Sequence, residues 1–181
     1  MSYLRTLTNE HIRGDMTRTI PTIGEIHHFI HQGAVFDLSN KITFANSETI
    51  YLVGETGATP VHFHGERYTV NKGGFEIRLL EGVTATGGTA ATPRNRNRIS
   101  AKTTTLAVTS GATVTNTGTE LYFLGIPGST VPAFQSPQAG AEVIEWILKP
   151  NTKYAIELKN LDAEAKTMYV AFSWYEVGLI D

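Results

Sequence analysis

Alternating apolar and polar positions dominate the chain from residue 25 onward. Tyr154, Ile156 and Leu158 alternate with Lys153, Ala155, Glu157 and Lys159, the pattern of a strand with one face on a core. Phe75, Ile77 and Leu79 alternate with Glu76 and Arg78 ahead of Gly82, and Leu106 and Val108 repeat the pattern in a threonine-rich run. Residues 50–53, 121–126, 143–148 and 168–177 carry apolar side chains on both faces, which predicts burial between two layers or at a subunit contact. Breaker clusters separate the runs at residues 54–59, 71–74, Gly87-Gly88, Ser110-Gly111, 116–118, Pro127-Gly128 and Pro150-Asn151. Many short strands joined by polar turns predict an all-β single domain, a β-sandwich of jelly-roll type.

Two stretches depart from this pattern. Residues 1–24 scatter Leu4, Leu7, Ile12, Met16, Ile20 and Ile23 among Arg5, Arg13, Arg18, Glu10 and Asp15. The fourfold spacing of Ile12, Met16 and Ile20 behind Asn9 predicts a short helix stopped by Pro21. A helix that short does not persist alone. The segment therefore reads as an extended N-terminal arm, distinct from a body of residues 25–181, that orders on a partner. Residues 125–140 form a long loop of Pro, Gly and Ser with one aromatic, Phe134. Loops of this length are often functional.

Composition narrows the function. A chain of 181 residues is long enough to bury an ordinary core. The lack of cysteine removes disulfides, thiolate metal sites and a thiol nucleophile. A net charge of −2 argues against nucleic acid as the main partner. Charged residues make up 18% of the chain, below the roughly 25% of a typical soluble domain. Such a thinly charged surface suits a protein packed against neighbours. No apolar signal region follows Met1 and no run approaches a membrane span, so the expected protein is made in a cytoplasm and has no membrane partner.

Candidate chemistry is sparse. His62, His64 and Glu66 fall at alternate positions, so a regular strand would place all three on one face, with Val61 and Phe63 facing the core. Two imidazoles and a carboxylate suit zinc, iron or manganese. A cupin-like metal-dependent enzyme opens its site with a similar His-x-His, but here Glu66 follows His64 too soon and no second motif supplies the downstream histidine. A polar outer face is the simpler reading. His27, His28 and His31 read as a strand, the first and last on one face, making ordinary hydrogen bonds at an interface that titrates near neutrality. Trp146, Tyr154, Trp174 and Tyr175 read as core aromatics before a glycan platform. No glycine-rich loop precedes a helix, so no phosphate cradle or cofactor is expected. In an extended run Arg94, Arg96 and Arg98 project to one side and Asn95 and Asn97 to the other. Arginine suits a bidentate protein contact; a solvated basic turn is the plain alternative, and DNA contact a third that the other charges do not support. Glu76, Glu81 and Glu120 are the carboxylates proposed to answer this run across a subunit contact.

Several of these pieces also resemble a known family. Trp146-Ile147-Leu148-Lys149-Pro150-Asn151-Thr152-Lys153-Tyr154, then Leu158-Lys159-Asn160, then Phe172-Ser173-Trp174-Tyr175-Glu176, is similar to a "W-x-L-x-P-x-T-x-Y" strand pair followed by a last strand ending in "W-Y-E". Residues 92–98 resemble that family's "N-R-N-R" loop, and residues 75–82, ending Leu80-Glu81-Gly82, its "F-x-L-x-E-G" strand. The pieces run in order over residues 25–177. The family is that of tailed-bacteriophage head decoration, or capsid cement, proteins. The resemblance implies a jelly-roll body, a homotrimer at quasi-threefold positions, the major capsid protein as partner, a place on the virion exterior, and no enzymatic activity. The candidates for capsid or subunit contact are Arg94, Arg96 and Arg98 of the loop that resembles the family's, together with Phe134 of the long loop and the arm residues Arg5, Arg13 and Arg18, which rest on the physical reading alone because the arm matches no family pattern. The alternatives are a receptor- or glycan-binding virion protein of a head fibre or tail, and third the cupin-like enzyme.

Overall fold

The computed structural model describes residues 25–70, 72–128, 133–135 and 145–179. The arm predicted for residues 1–24, with Arg5, Arg13 and Arg18, lies outside them. Most of the loop at 125–140 does as well.

Four long strands open the body: β1 (Val35–Phe44), β2 (Thr49–Glu55), β3 (Val61–Val70) and β4 (Phe75–Glu81). They alternate between two antiparallel sheets, β1 and β3 in the first, β2 and β4 in the second. The last two long strands, β13 (Lys153–Asn160) and β14 (Lys166–Tyr175), return between them. β14 lies between β1 and β3, and β13 between β2 and β4. The first sheet is completed on β3 by β11 (Ala133–Gln135) and β12 (Trp146–Leu148), the second on β4 by β10 (Thr119–Ile126). This folding of the first half of the chain against the last half is the double Greek key of a jelly roll.

An insertion between β4 and β10 adds the remaining strands. β5 (Thr84–Thr86) pairs with β9 (Thr113–Asn116) as a separate ribbon. β6 (Thr89–Ala90) and β8 (Ala107–Ser110) widen the second sheet beyond β2, and β7 (Arg94–Asn95) crosses to the edge of the first. Residues 90–94 therefore strap one open side of the sandwich.

Alternation explains which faces meet. Phe36, Leu38, Ile42 and Phe44 of β1 stand opposite Trp174, Phe172, Met168 and Lys166 of β14, and the apolar members enter the core. Tyr154 and Leu158 reach it from β13, with Ile156 packed against it. The two-faced apolarity of residues 50–53 is resolved within the chain. Leu52 enters the main core while Val53 joins Leu80, Val83, Ala112 and Ala155 in a second cluster beside the β5–β9 ribbon.

The Trp174-Tyr175-Glu176 ending has a structural task. Glu176 is 0% exposed. Its carboxylate accepts hydrogen bonds from the Thr104 hydroxyl, the Thr105 hydroxyl at 2.7 Å, the Thr105 amide at 3.0 Å and the Trp174 indole at 3.3 Å. The residue after β14 thereby clasps the middle of the insertion. The Pro150-Asn151-Thr152 turn is fastened similarly, since the Thr56 hydroxyl donates to the Lys149 carbonyl at 2.7 Å and accepts from the Thr152 amide at 3.0 Å.

One predicted element is corrected. Residues Glu25–His31 form a helix, α1, not a strand. Ile26, Phe29 and Ile30 recur at helical spacing, and Phe29 packs on Tyr175 with ring centroids 4.7 Å apart. A Schellman motif ends the helix: the Ala34 amide donates to the Phe29 carbonyl and the Gly33 amide to that of Ile30. Gly33 has φ +70, and a Cβ there would sit 2.2 Å from Ser100 Oγ, so glycine is required both by the turn and by its neighbour.

Replacing Glu176 by Ala removes the acceptor shared by the Trp174 indole and the insertion. A loss of about 2–4 kcal/mol is expected, measured by urea unfolding, with Glu176→Gln less damaging because it keeps one acceptor oxygen. Stability within error of wild type for both variants would refute the clasp.

Candidate contact surface

The Arg94–Arg98 run is extended only at Arg94 and Asn95, and it bends and turns over residues 96–99, where the asparagines hold it. Asn95 donates its side-chain amide to the carbonyls of Gly33 at 2.8 Å and Lys102 at 3.0 Å, and its oxygen accepts from the Asn97 amide at 2.8 Å. Asn97 donates to the His31 carbonyl at 3.0 Å and accepts from the Ile99 amide at 3.1 Å. The Arg96 amide donates to the Val35 carbonyl at 2.9 Å. A loop tied at this many backbone points is rigid, and it leaves Arg94, Arg96 and Arg98 exposed. Ile99 follows them at 96% exposure. An isoleucine this bare beside three arginines is a candidate for contact that the alternation of the preceding residues does not reveal.

The carboxylate that answers the run within the chain is Asp37. Its Oδ2 lies 2.7 Å from Arg96 Nε. The three glutamates assigned to this task on sequence grounds serve other cations in the chain. Glu81 binds Lys149 at 2.7 Å, and Glu76 and Glu120 each lie 3.4 Å from Arg78. Among the described residues Arg94 and Arg98 have no carboxylate partner. Beside them, between β1 and the strap, runs a polar groove of about 660 Å³ lined by Ser39, Asn40, Thr92 and the three arginines. Phe134 falls in β11, opposite Thr69 of β3, at the other end of the sheet order from β7.

The histidines occupy the opposite flank of the same sheet face. Even spacing grouped His62, His64 and Glu66, but a β-bulge separates them. Tyr175 stands opposite His62, and Trp174 opposite Phe63. Ser173 then stands opposite Gly65, which leaves His64 as the extra residue. Beyond the bulge Glu66 pairs with core-facing Phe172, and it accepts a hydrogen bond from the Tyr68 hydroxyl at 2.8 Å. Burial pushes the Glu66 carboxyl up. Val61 and Phe63 do face the core. Among the described residues no three His, Asp or Glu side chains are placed to hold a metal ion.

His62 and His64 instead surround Tyr175. The His62 ring stacks on it at 4.5 Å and the His64 ring lies at 5.6 Å. Glu145 Oε1 accepts from the Tyr175 hydroxyl at 2.6 Å and lies 2.7 Å from His62 Nδ1. Burial raises the Glu145 carboxyl, but the bonds from Tyr175 and His62 outweigh it and hold the group below its ordinary value. On α1 the helical spacing brings His27 and His31 to 2.8 Å, where the strand reading had merely put them on one face.

The remaining candidates are structural. Trp174, Tyr154 and Tyr175 are buried, so they form no exposed platform for a sugar. The Tyr154 hydroxyl bonds Glu81 at 2.8 Å, and burial pushes it up to about 12. Between the sheets a space of about 50 Å³ is lined by apolar side chains including Leu52, Phe63, Leu106 and Trp174. No helix among the described residues is long and apolar enough to cross a membrane. Searches against protein-family models and curated proteins return no match to the chain.

Burial lowers the His64 imidazole below its usual 6.5. The unfolded chain therefore binds more protons just below that pH, so this contribution to stability is full above 6.5 and declines as the pH falls toward the folded value. Urea midpoints are expected to drop between about pH 7.5 and about pH 5.5, and to drop less in His64→Gln. Equal drops would exclude His64 as the source.

Proposed function

We propose that this protein is a structural component of a tailed-phage virion, a decoration protein that binds the outside of the icosahedral head and stabilises contacts between capsomers. The observation that carries the reading is the Asn-fastened loop, which presents Arg94, Arg96, Arg98 and the bare Ile99 on a rigid support. Preorganised arginines around an apolar tip are the composition of a protein–protein hot spot. The co-linear motifs similar to those of head decoration proteins support the same reading. So does the jelly-roll body, whose polar side chains fasten turns and whose interior is apolar.

The mechanism is thermodynamic. A protein that binds the assembled shell and not the free capsomer stabilises the shell by mass action. Weak contacts repeated over the lattice reinforce each other through multivalency. On this reading three copies associate around a local threefold axis, the major capsid protein is the partner, and residues 1–24 reach over an adjacent capsomer.

Mixing the purified protein with undecorated heads and sedimenting them tests the proposal. The protein is expected to pellet with the heads and to raise their resistance to heat. Ile99→Asp should weaken binding about tenfold or more while leaving the melting temperature of the free protein unchanged. Wild-type protein that stays in the supernatant at saturating concentration would sink the reading.

A further inference from the structure

The first sheet has an edge that is only partly covered. β7 pairs with β1 at Phe36 and Asp37 and then turns away toward the second sheet. The direction of the groups on the rest of β1 follows from two bonds. The Ala34 carbonyl accepts from Glu176, on the β14 side, while the Val35 carbonyl accepts from Arg96, on the β7 side. Backbone groups alternate in direction along a strand. With no register shift in the β1–β14 ladder, odd-numbered residues of β1 point their N–H and C=O toward β7. Ser39, Lys41 and Thr43 therefore present three donors and three acceptors at the open edge. No described strand pairs with them.

The groove lined by Arg94, Arg96 and Arg98 runs beside this edge and includes Ser39 in its wall. Arg96 is answered by Asp37, which leaves the charges of Arg94 and Arg98 without a carboxylate among the described residues. Lys41, exposed on the outer face, adds a third positive group along the same line. A lysine on an edge strand discourages pairing with another copy of the same edge. It favours a strand that carries the opposite charge.

From these observations we propose that the β1 edge is a binding site for an extended, acidic polypeptide segment of a partner protein, which adds to the first sheet as a strand. Its main chain bonds to Ser39, Lys41 and Thr43, and its carboxylates meet Arg94 and Arg98. The span from Ser39 to Thr43 is about 14 Å, room for a strand of five residues. Main-chain bonds of this kind supply affinity with little demand on sequence, and the flanking charges select the partner. The inference deepens the reading of the Arg94–Ile99 loop as a contact surface by naming the kind of segment it receives. The edge and the charges would stand even if the partner is not a capsid.

The test uses the full chain and a capped heptapeptide that alternates glutamate with threonine and valine, with a lysine counterpart as control. In the free protein the amides of Ser39, Lys41 and Thr43 should exchange with solvent rapidly, while those of Leu38, Asn40 and Ile42, directed at β14, are protected. Adding the acidic peptide should slow exchange at the three odd positions and leave the even positions unchanged. The double variant Arg94→Glu, Arg98→Glu, whose altered side chains are exposed, should weaken peptide binding at least tenfold by fluorescence anisotropy. Ser39→Pro should weaken it too, because it deletes a donor that no strand uses. Hydrogen exchange at the even positions reports whether that variant keeps its fold. Equal binding of both peptides, or binding without protection at the three odd amides, would overturn the proposal. Absence of binding to the acidic peptide would overturn it as well. Failure of the protein to pellet with heads would remove the capsid reading alone, and heads bound equally well by the double variant would remove the edge site as the capsid contact.

Discussion

A buried carboxylate just after the last strand holds the insertion that carries the Arg94–Ile99 loop in place. Glu176 sits where Trp174 enters the core and where the insertion returns from the strap. Thr104 and Thr105 are its ligands, and they lie only a few residues beyond the Arg94–Ile99 loop. An ionised group out of water is tolerated only when hydrogen bonds satisfy it. Here every donor comes from the insertion or from Trp174 of β14. Leu106, next to these threonines, carries the insertion into the main core. The same logic extends outward through Asn95 and Asn97, which bind the loop to the backbone at His31, Gly33 and Lys102.

Much of the fold was legible because periodicity reports burial directly. Tyr154, Ile156 and Leu158 face the core as the alternation required, and so do Phe75 and Ile77. The turn glycines fell where the chain reverses. Three features escaped that reading for physical reasons. Ile26, Phe29 and Ile30 suit a helix, but seven residues with three histidines resemble a strand until the Gly33 cap is considered. The bulge at His64 leaves no mark in an alternating pattern, yet it turns Glu66 from the outer face to the inner one. Asp37 could not be matched to Arg96 because the pairing spans 59 residues and depends on β7 crossing between sheets.

The contact surface was half legible. The alternation of Asn and Arg correctly separated an inward from an outward side. It could not show that the asparagines are fasteners, since that depends on carbonyls contributed by the end of α1 and by Lys102. The exposure of Ile99 was also hidden, because one isoleucine after a polar run reads as the start of a strand. Apolar side chains on both faces of residues 50–53 left burial between two layers and a subunit contact as alternatives, and the second cluster accounts for Val53 within one chain. Two-faced apolarity is thus an ambiguous sign in a jelly roll with insertions, where a small ribbon can do what a neighbouring subunit would.

Polar side chains in this molecule fall into two groups with different consequences. Thr56, Asn95, Asn160 and Glu176 are turned inward and satisfied, and they make loops rigid. Arg94, Arg98 and Lys41 are turned outward near backbone groups that no described strand uses. The space between the sheets is lined by apolar side chains, and the charges of Arg94 and Arg98 lie beside the β1 edge. Rigid support matters more to adhesion than to exposure alone, because a preformed surface loses little entropy when it is covered. A weak site on a stiff body gains most when many copies act on one lattice, since each bound neighbour keeps the next close to its target. The fastened loop and the open β1 edge are the two features on which the proposed adhesion rests.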